Sequence, residues 1–139
     1  MKQAVLLLAH GAPDRLEDVE QYLGLVRSGR PLAPQVVHEV KRRYAALGGA
    51  SPLLSWTRKQ AEALEALLGR KVYFGMRNWK PFIPDTMEQI RSDGVERLVA
   101  ICLAPQYSKM SIGLYFRRVQ EAKQQLAMST EIIWTKSFH

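Results

Sequence analysis

A single cysteine, Cys102, stands in 139 residues. That scarcity excludes an intrachain disulfide framework, a cysteine-rich zinc site and a four-cysteine iron–sulfur site. Long hydrophobic runs are missing too, and nothing approaches the roughly 20 apolar residues of a membrane span. The apolar opening, residues 4–9, runs into His10-Gly11-Ala12-Pro13 rather than a small-residue cleavage site, so it reads as a buried strand and not a signal peptide. Neither a glycine-rich dinucleotide loop nor a Walker loop occurs, and Gly48-Gly49 does not follow a strand. No Gly-x-Ser-x-Gly elbow is present, and Cys102 lies inside the apolar run 98–103 as a small core residue. Acidic residues are the minority, 13 against 20 Lys and Arg, for a net charge of +7. Such a balance suits an anionic partner. The charge is spread, however: Lys41-Arg42-Arg43 and Arg117-Arg118 fall in amphipathic patterns whose solvated faces carry them. With no zinc finger, basic arm or RNA-binding aromatic signature, nucleic acid is not an expected partner. These absences leave a cytoplasmic globular protein as the expectation.

With 47% hydrophobic and 24% charged residues, the chain fits one domain, 1–139, with a real core and no room for a second. Residues 4–9, 71–76, 97–103 and 131–134 read as strands: short, apolar and bounded by turn residues. Between them lie helical stripes. Asp14 is placed to cap the first, with Leu16, Val19, Leu23 and Val26 on one face and Gly29 as its stop. Val36, Val37, Val40, Tyr44 and Leu47 mark the second, closed by Gly48-Gly49 as a left-handed cap. Ser51-Pro52 reads as an N-cap with proline at the first helical position of a third helix, which reaches Leu68. Residues 84–92, ended by Asp93-Gly94, and 112 to about 127 complete the set. Strands alternating with helices predict an α/β fold, a parallel four-stranded sheet flanked by helices on both faces. The chain stops shortly after the fourth strand with no closing helix, which reads as a domain boundary.

Carboxyl ends of strands are where open α/β sheets bind ligands. His10 sits at the first such end, beside Gly11, whose missing side chain allows close approach to the backbone. Its imidazole suits a borderline divalent metal or a proton near neutrality; the plainer reading is a histidine hydrogen-bonded into its loop. His38 reads as helix surface, and terminal His139 has no assigned role. After the second strand, Arg77, Asn78, Trp79 and Lys80 place cations beside an aromatic, as a flat ligand with carboxylates requires. Trp79 and Phe82 read equally as fasteners of the next helix. After the third strand, Gln106, Tyr107 and Ser108 offer amide and hydroxyl groups, with Met110 adding apolar surface. Arg27 and Arg30 stand near a helix end, where solvated surface is the ordinary reading.

Gly48-Gly49-Ala50-Ser51-Pro52-Leu53, Thr57, Gln60-Ala61, Gly75-Met76-Arg77-Asn78-Trp79-Lys80-Pro81-Phe82-Ile83, Asp93-Gly94-Val95 and Pro105-Gln106-Tyr107-Ser108 together resemble ferrochelatase over nearly the whole chain. The resemblance implies a chelatase-like domain that binds porphyrin in a cleft for insertion of ferrous iron into protoporphyrin or coproporphyrin. It implies His10 lining the cleft, Arg27 and Arg30 near the propionates, Ser51 as the motif serine, and Gln106, Tyr107 and Ser108 below the macrocycle. Iron and porphyrin are substrates in this family, and no tightly bound cofactor is expected. Only the first of the family's two similar domains is matched. The metal-insertion histidine of the second half and its acidic companion have no counterpart, so the implied partner is a C-terminal half or a second copy of the chain. The small single-domain chelatases also open with a strand ending in His-Gly, and there the histidine binds metal and two copies form the cleft; the resemblance extends that role to His10. A non-catalytic porphyrin-binding domain is the reading outside enzymes.

Overall fold

The computed structural model describes residues 1–13, 15–26, 33–46, 48, 52–103 and 109–135, with side chains described again from residue 113. Its centre is the strand β1 (Gln3–Ala9), buried from residue 4 onward. A short 3-10 turn (Leu16–Asp18) leads into α1 (Val19–Val26), followed by α2 (Pro34–Ala46) and α3 (Leu53–Leu68). Then come β2 (Val72–Met76), α4 (Ile83–Ser92), β3 (Arg97–Cys102), α5 (Lys109–Gln125) and β4 (Glu131–Trp134). The sheet is four-stranded in the order β2-β1-β3-β4, and every pairing is parallel. This is the expected α/β architecture, with the insertion of α1 to α3 between the first two strands.

Side-chain alternation divides the core. Val5 and Leu7 face Ala61 of α3, with Val72, while Ala4, Leu6 and Leu8 face the other layer. There Ile83, Met87 and Ile90 of α4, at i, i+4 and i+7, meet Tyr115, Val119 and Ala122 of α5. Burial on both faces explains the nearly continuous apolar run of β1. The outward edge of β2 is covered by the chain itself. Glu65 accepts the Val72 N–H at 2.9 Å, Thr86 donates to the Phe74 carbonyl at 2.9 Å, and Met76 N–H reaches Pro81 O at 2.7 Å. Edge groups satisfied in this way do not recruit a foreign strand.

The helix ends follow their glycines. Gly69 and Gly94 adopt φ of 65° and 72° after α3 and α4, and Gly48 lies at 92° beyond α2. Pro52 departs from expectation: it is the cap residue, its carbonyl accepting the Trp56 N–H at 2.9 Å, and the helix begins at Leu53. Helix α5 begins three residues earlier than its apolar pattern indicates, at Lys109. Asp14, Gly29, Leu47, Gly49 and His139 lie outside the described residues.

Candidate functional site

The parallel pairing of β1 and β2 continues past both strands. Ala9 accepts from the Arg77 N–H and His10 from the Asn78 N–H, each at 3.0 Å, so the two strand tails run side by side. This register brings His10, Arg77 and Asn78 to one end of the sheet. Gly11 (φ +89°) makes the approach possible: a Cβ there would stand 3.0 Å from the Trp79 nitrogen and 3.1 Å from the Met76 Cβ. The neighbour that requires a glycine at this position is the chain's own Trp79 segment, not a ligand.

Both ring nitrogens of exposed His10 are engaged. Nδ1 lies 3.0 Å from the Gly11 carbonyl oxygen and 3.2 Å from the Tyr22 hydroxyl, and Nε2 lies 3.1 Å from Nδ2 of buried Asn78. Tyr22 comes from α1 and meets His10 edge-on at 6.2 Å between centroids. Behind it the edge-to-face series continues to Trp79 at 6.3 Å and from Trp79 to Phe82 at 6.4 Å. Burial pushes the Tyr22 hydroxyl up to about 12, with Tyr44 adding to the rise and Arg77 opposing it. Tyr22 is therefore a neutral hydroxyl at physiological pH.

Arg77 is half-buried, with its guanidinium 5.6 Å from the centre of the Tyr115 ring. Lys80 lies 5.8 Å from the centre of the Trp79 ring. Among the described residues neither cation pairs with a carboxylate. Two uncompensated cations beside an aromatic wall suit an anionic, planar ligand. No cluster of three His, Cys, Asp or Glu side chains able to hold a metal occurs among the described residues. Among the described residues the site offers the His10 imidazole, the neutral Tyr22 phenol and fixed positive charge. Burial pushes the Cys102 thiol up, which keeps it protonated and agrees with its place against the core.

Of the residues singled out in the sequence, the structure brings His10, Arg77 and Trp79 together. Trp79 is 1% exposed, and its ring meets those of Tyr22 and Phe82 edge to face, with Lys80 over it. Arg27, Arg30, Ser51, Gln106, Tyr107 and Ser108 lie outside the described residues, as does the side chain of Met110 in the first turn of α5. The sequence reading missed Tyr22 and the contact made by Asn78. Tyr22 lies three residues after Val19 on the same face of α1, a position that an apolar count passes over. Asn78 is marked only by strand register, which puts it opposite the His10–Gly11 tail.

A family model for ferrochelatase matches residues 2–139. A ferrochelatase of Acidobacterium capsulatum is 51% identical over 126 residues, which cover 90% of this chain and 38% of that protein. A ferrochelatase of Herpetosiphon aurantiacus is 41% identical over 143 residues, covering 99% and 47%. A coproporphyrin III ferrochelatase of Oceanobacillus iheyensis is 34% identical over 139 residues, covering 95% and 45%. The chain spans less than half the length of these relatives, and no helix among the described residues is long and apolar enough to cross a membrane. Matched along its whole length and in its strand-end motifs, the chain belongs to the ferrochelatase family.

Proposed function

We propose that this chain forms the porphyrin-facing wall of a cytoplasmic chelatase that inserts ferrous iron into protoporphyrin or coproporphyrin for haem biosynthesis. The observation that carries the reading is the strand-end cluster, with exposed His10 beside Arg77, a cation that has no carboxylate partner among the described residues. Arg77 meets a propionate, as do Arg27 and Arg30. Ser51, Gln106, Tyr107, Ser108 and Met110 line the macrocycle, with Trp79 acting through Tyr22.

Metal insertion needs three things: pyrrole lone pairs turned out of the plane, a ligand that replaces water on the incoming iron, and a base for two pyrrole protons. Binding energy spent on bending the macrocycle supplies the first. His10 supplies an imidazole for the second or third, and one residue cannot serve both at once. The remaining groups come from a C-terminal ferrochelatase half, the part of its relatives that this chain does not span. Iron and porphyrin pass through as substrates, with no tightly bound cofactor.

Anaerobic ferrous insertion into both porphyrins, followed optically, tests this. The chain alone should bind porphyrin without turnover. Mixing it with the C-terminal half of the Acidobacterium relative should restore insertion, and His10→Ala should lower the restored rate at least ~10-fold. Turnover by the chain alone that is lost in His10→Ala would replace the partner by a second copy. Failure to bind either porphyrin sinks the proposal.

A further inference from the structure

The contacts of His10 favour one arrangement of its proton in the neutral ring. The Gly11 carbonyl oxygen, 3.0 Å from Nδ1, can only accept, so Nδ1 carries the hydrogen. The Tyr22 hydroxyl oxygen at 3.2 Å then shares that hydrogen as a second acceptor. Nε2 is left with its lone pair, and the Asn78 amide N–H at 3.1 Å donates to it. The opposite tautomer would let the Tyr22 hydroxyl donate to Nδ1, but would face the Gly11 oxygen with a lone pair and the Asn78 N–H with a second hydrogen. Asn78 cannot relax away into solvent, because it is 6% exposed and its own backbone N–H is tied to the His10 carbonyl at 3.0 Å.

We infer that Asn78 is a positioning residue that holds His10 in the Nδ1–H tautomer and covers the Nε2 lone pair when the site is empty. The nitrogen that a metal ion needs is thereby kept unprotonated, as a ligand must be. The same amide competes with the metal for it. A second interaction that fixes one ring nitrogen and so determines the other is the usual way a histidine ligand is tuned. Here the fixing group on Nδ1 is backbone, and the group on Nε2 is one the substrate must displace. The tautomer assignment stands on geometry alone, whereas the competition rests on the metal-handling role proposed for His10.

Long-range 1H–15N spectra of the chain with 15N-labelled histidine, recorded where imidazoles are neutral, decide the tautomer; loss of signals in His10→Gln assigns them. Wild type should show a protonated Nδ1 and an unprotonated Nε2 at His10. Asn78→Ala should admit the Nε2–H form, Asn78→Asp should make it dominant, and Tyr22→Phe should leave the wild-type pattern. An Nε2–H pattern in wild type, or no change in either Asn78 variant, overturns the assignment. Zn2+ titration of the same samples reads the competition: His10 in Asn78→Ala should bind about fivefold more tightly, the worth of one hydrogen bond. Equal or weaker binding overturns the covering role. No Zn2+ effect on His10 in any variant overturns both the competition and the metal role of His10, while the first measurement still decides the tautomer.

Discussion

Helix α4 buries Ile83, Thr86, Met87 and Ile90 against the sheet, whereas α2 buries no residue, although both carry an apolar stripe at helical spacing. The difference is one of place. Both faces of the sheet are already taken, one by α3 and the other by α4 with α5. Helices α1 and α2 pack on one another, and α1 buries Val19 and meets the strand ends through Tyr22. Val36 stays 42% exposed on α2, and Leu25 and Val26 stay open on α1.

The largest effect expected from this contrast is on stability. Met87 is fully buried, and Met87→Ala should cost about 3 kcal/mol in urea unfolding. Val36→Ala should stay within ~0.5 kcal/mol. Equal costs would mean that α2 is packed after all and would break the comparison. A pair of glycines sharpens it at smaller scale. Gly11→Ala sets a Cβ against the Trp79 backbone in a left-handed conformation and should cost about 2 kcal/mol, whereas Gly48→Ala, also left-handed but with open space around it, should cost only ~1 kcal/mol.

Period and register account for what the sequence made legible. Strand β1 and helix α4 were readable because their apolar spacing matches the faces they bury, and the alternation of strands with helices carried the parallel sheet. The early start of α5 was not readable, since Lys109 and Ser111 add nothing to an apolar pattern. In the site, His10 and Arg77 stood out by their chemistry at strand ends. Asn78 and Tyr22 did not, because each acts through one contact across the chain, and no local pattern encodes that. Gly11 was read as room for a ligand, and only the neighbouring tail shows that the room is filled by Trp79.

Tyrosines divide the same two regions by their response to pH. Tyr22, on the loosely packed side, has its hydroxyl pushed up to about 12 by burial. The unfolded chain gives up this proton first, near pH 10, so stability should fall as pH rises from about 10 to 12. Tyr22→Phe should remove that part of the alkaline loss in thermal melts; an unchanged slope would mean that Tyr22 is exposed and α1 is not held at the site.

On the packed side the effect runs at the other end of the scale and should be the smallest. Tyr73 donates to Asp93 at 2.5 Å, and this bond, followed by one from Gln89, holds the Asp93 carboxyl below its ordinary range. The unfolded carboxyl takes up its proton at the higher pH, so the stabilisation is complete above about pH 4 and disappears as pH falls through the lower folded value. Tyr73→Phe removes the main donor and keeps the ring in the core. Its deficit relative to wild type should therefore be constant near neutrality and shrink only below about pH 4. The bond ties β2 to the end of α4, the helix whose packing separates it from α2. A deficit that did not shrink in acid would assign the loss to packing of the ring rather than to the charge on Asp93.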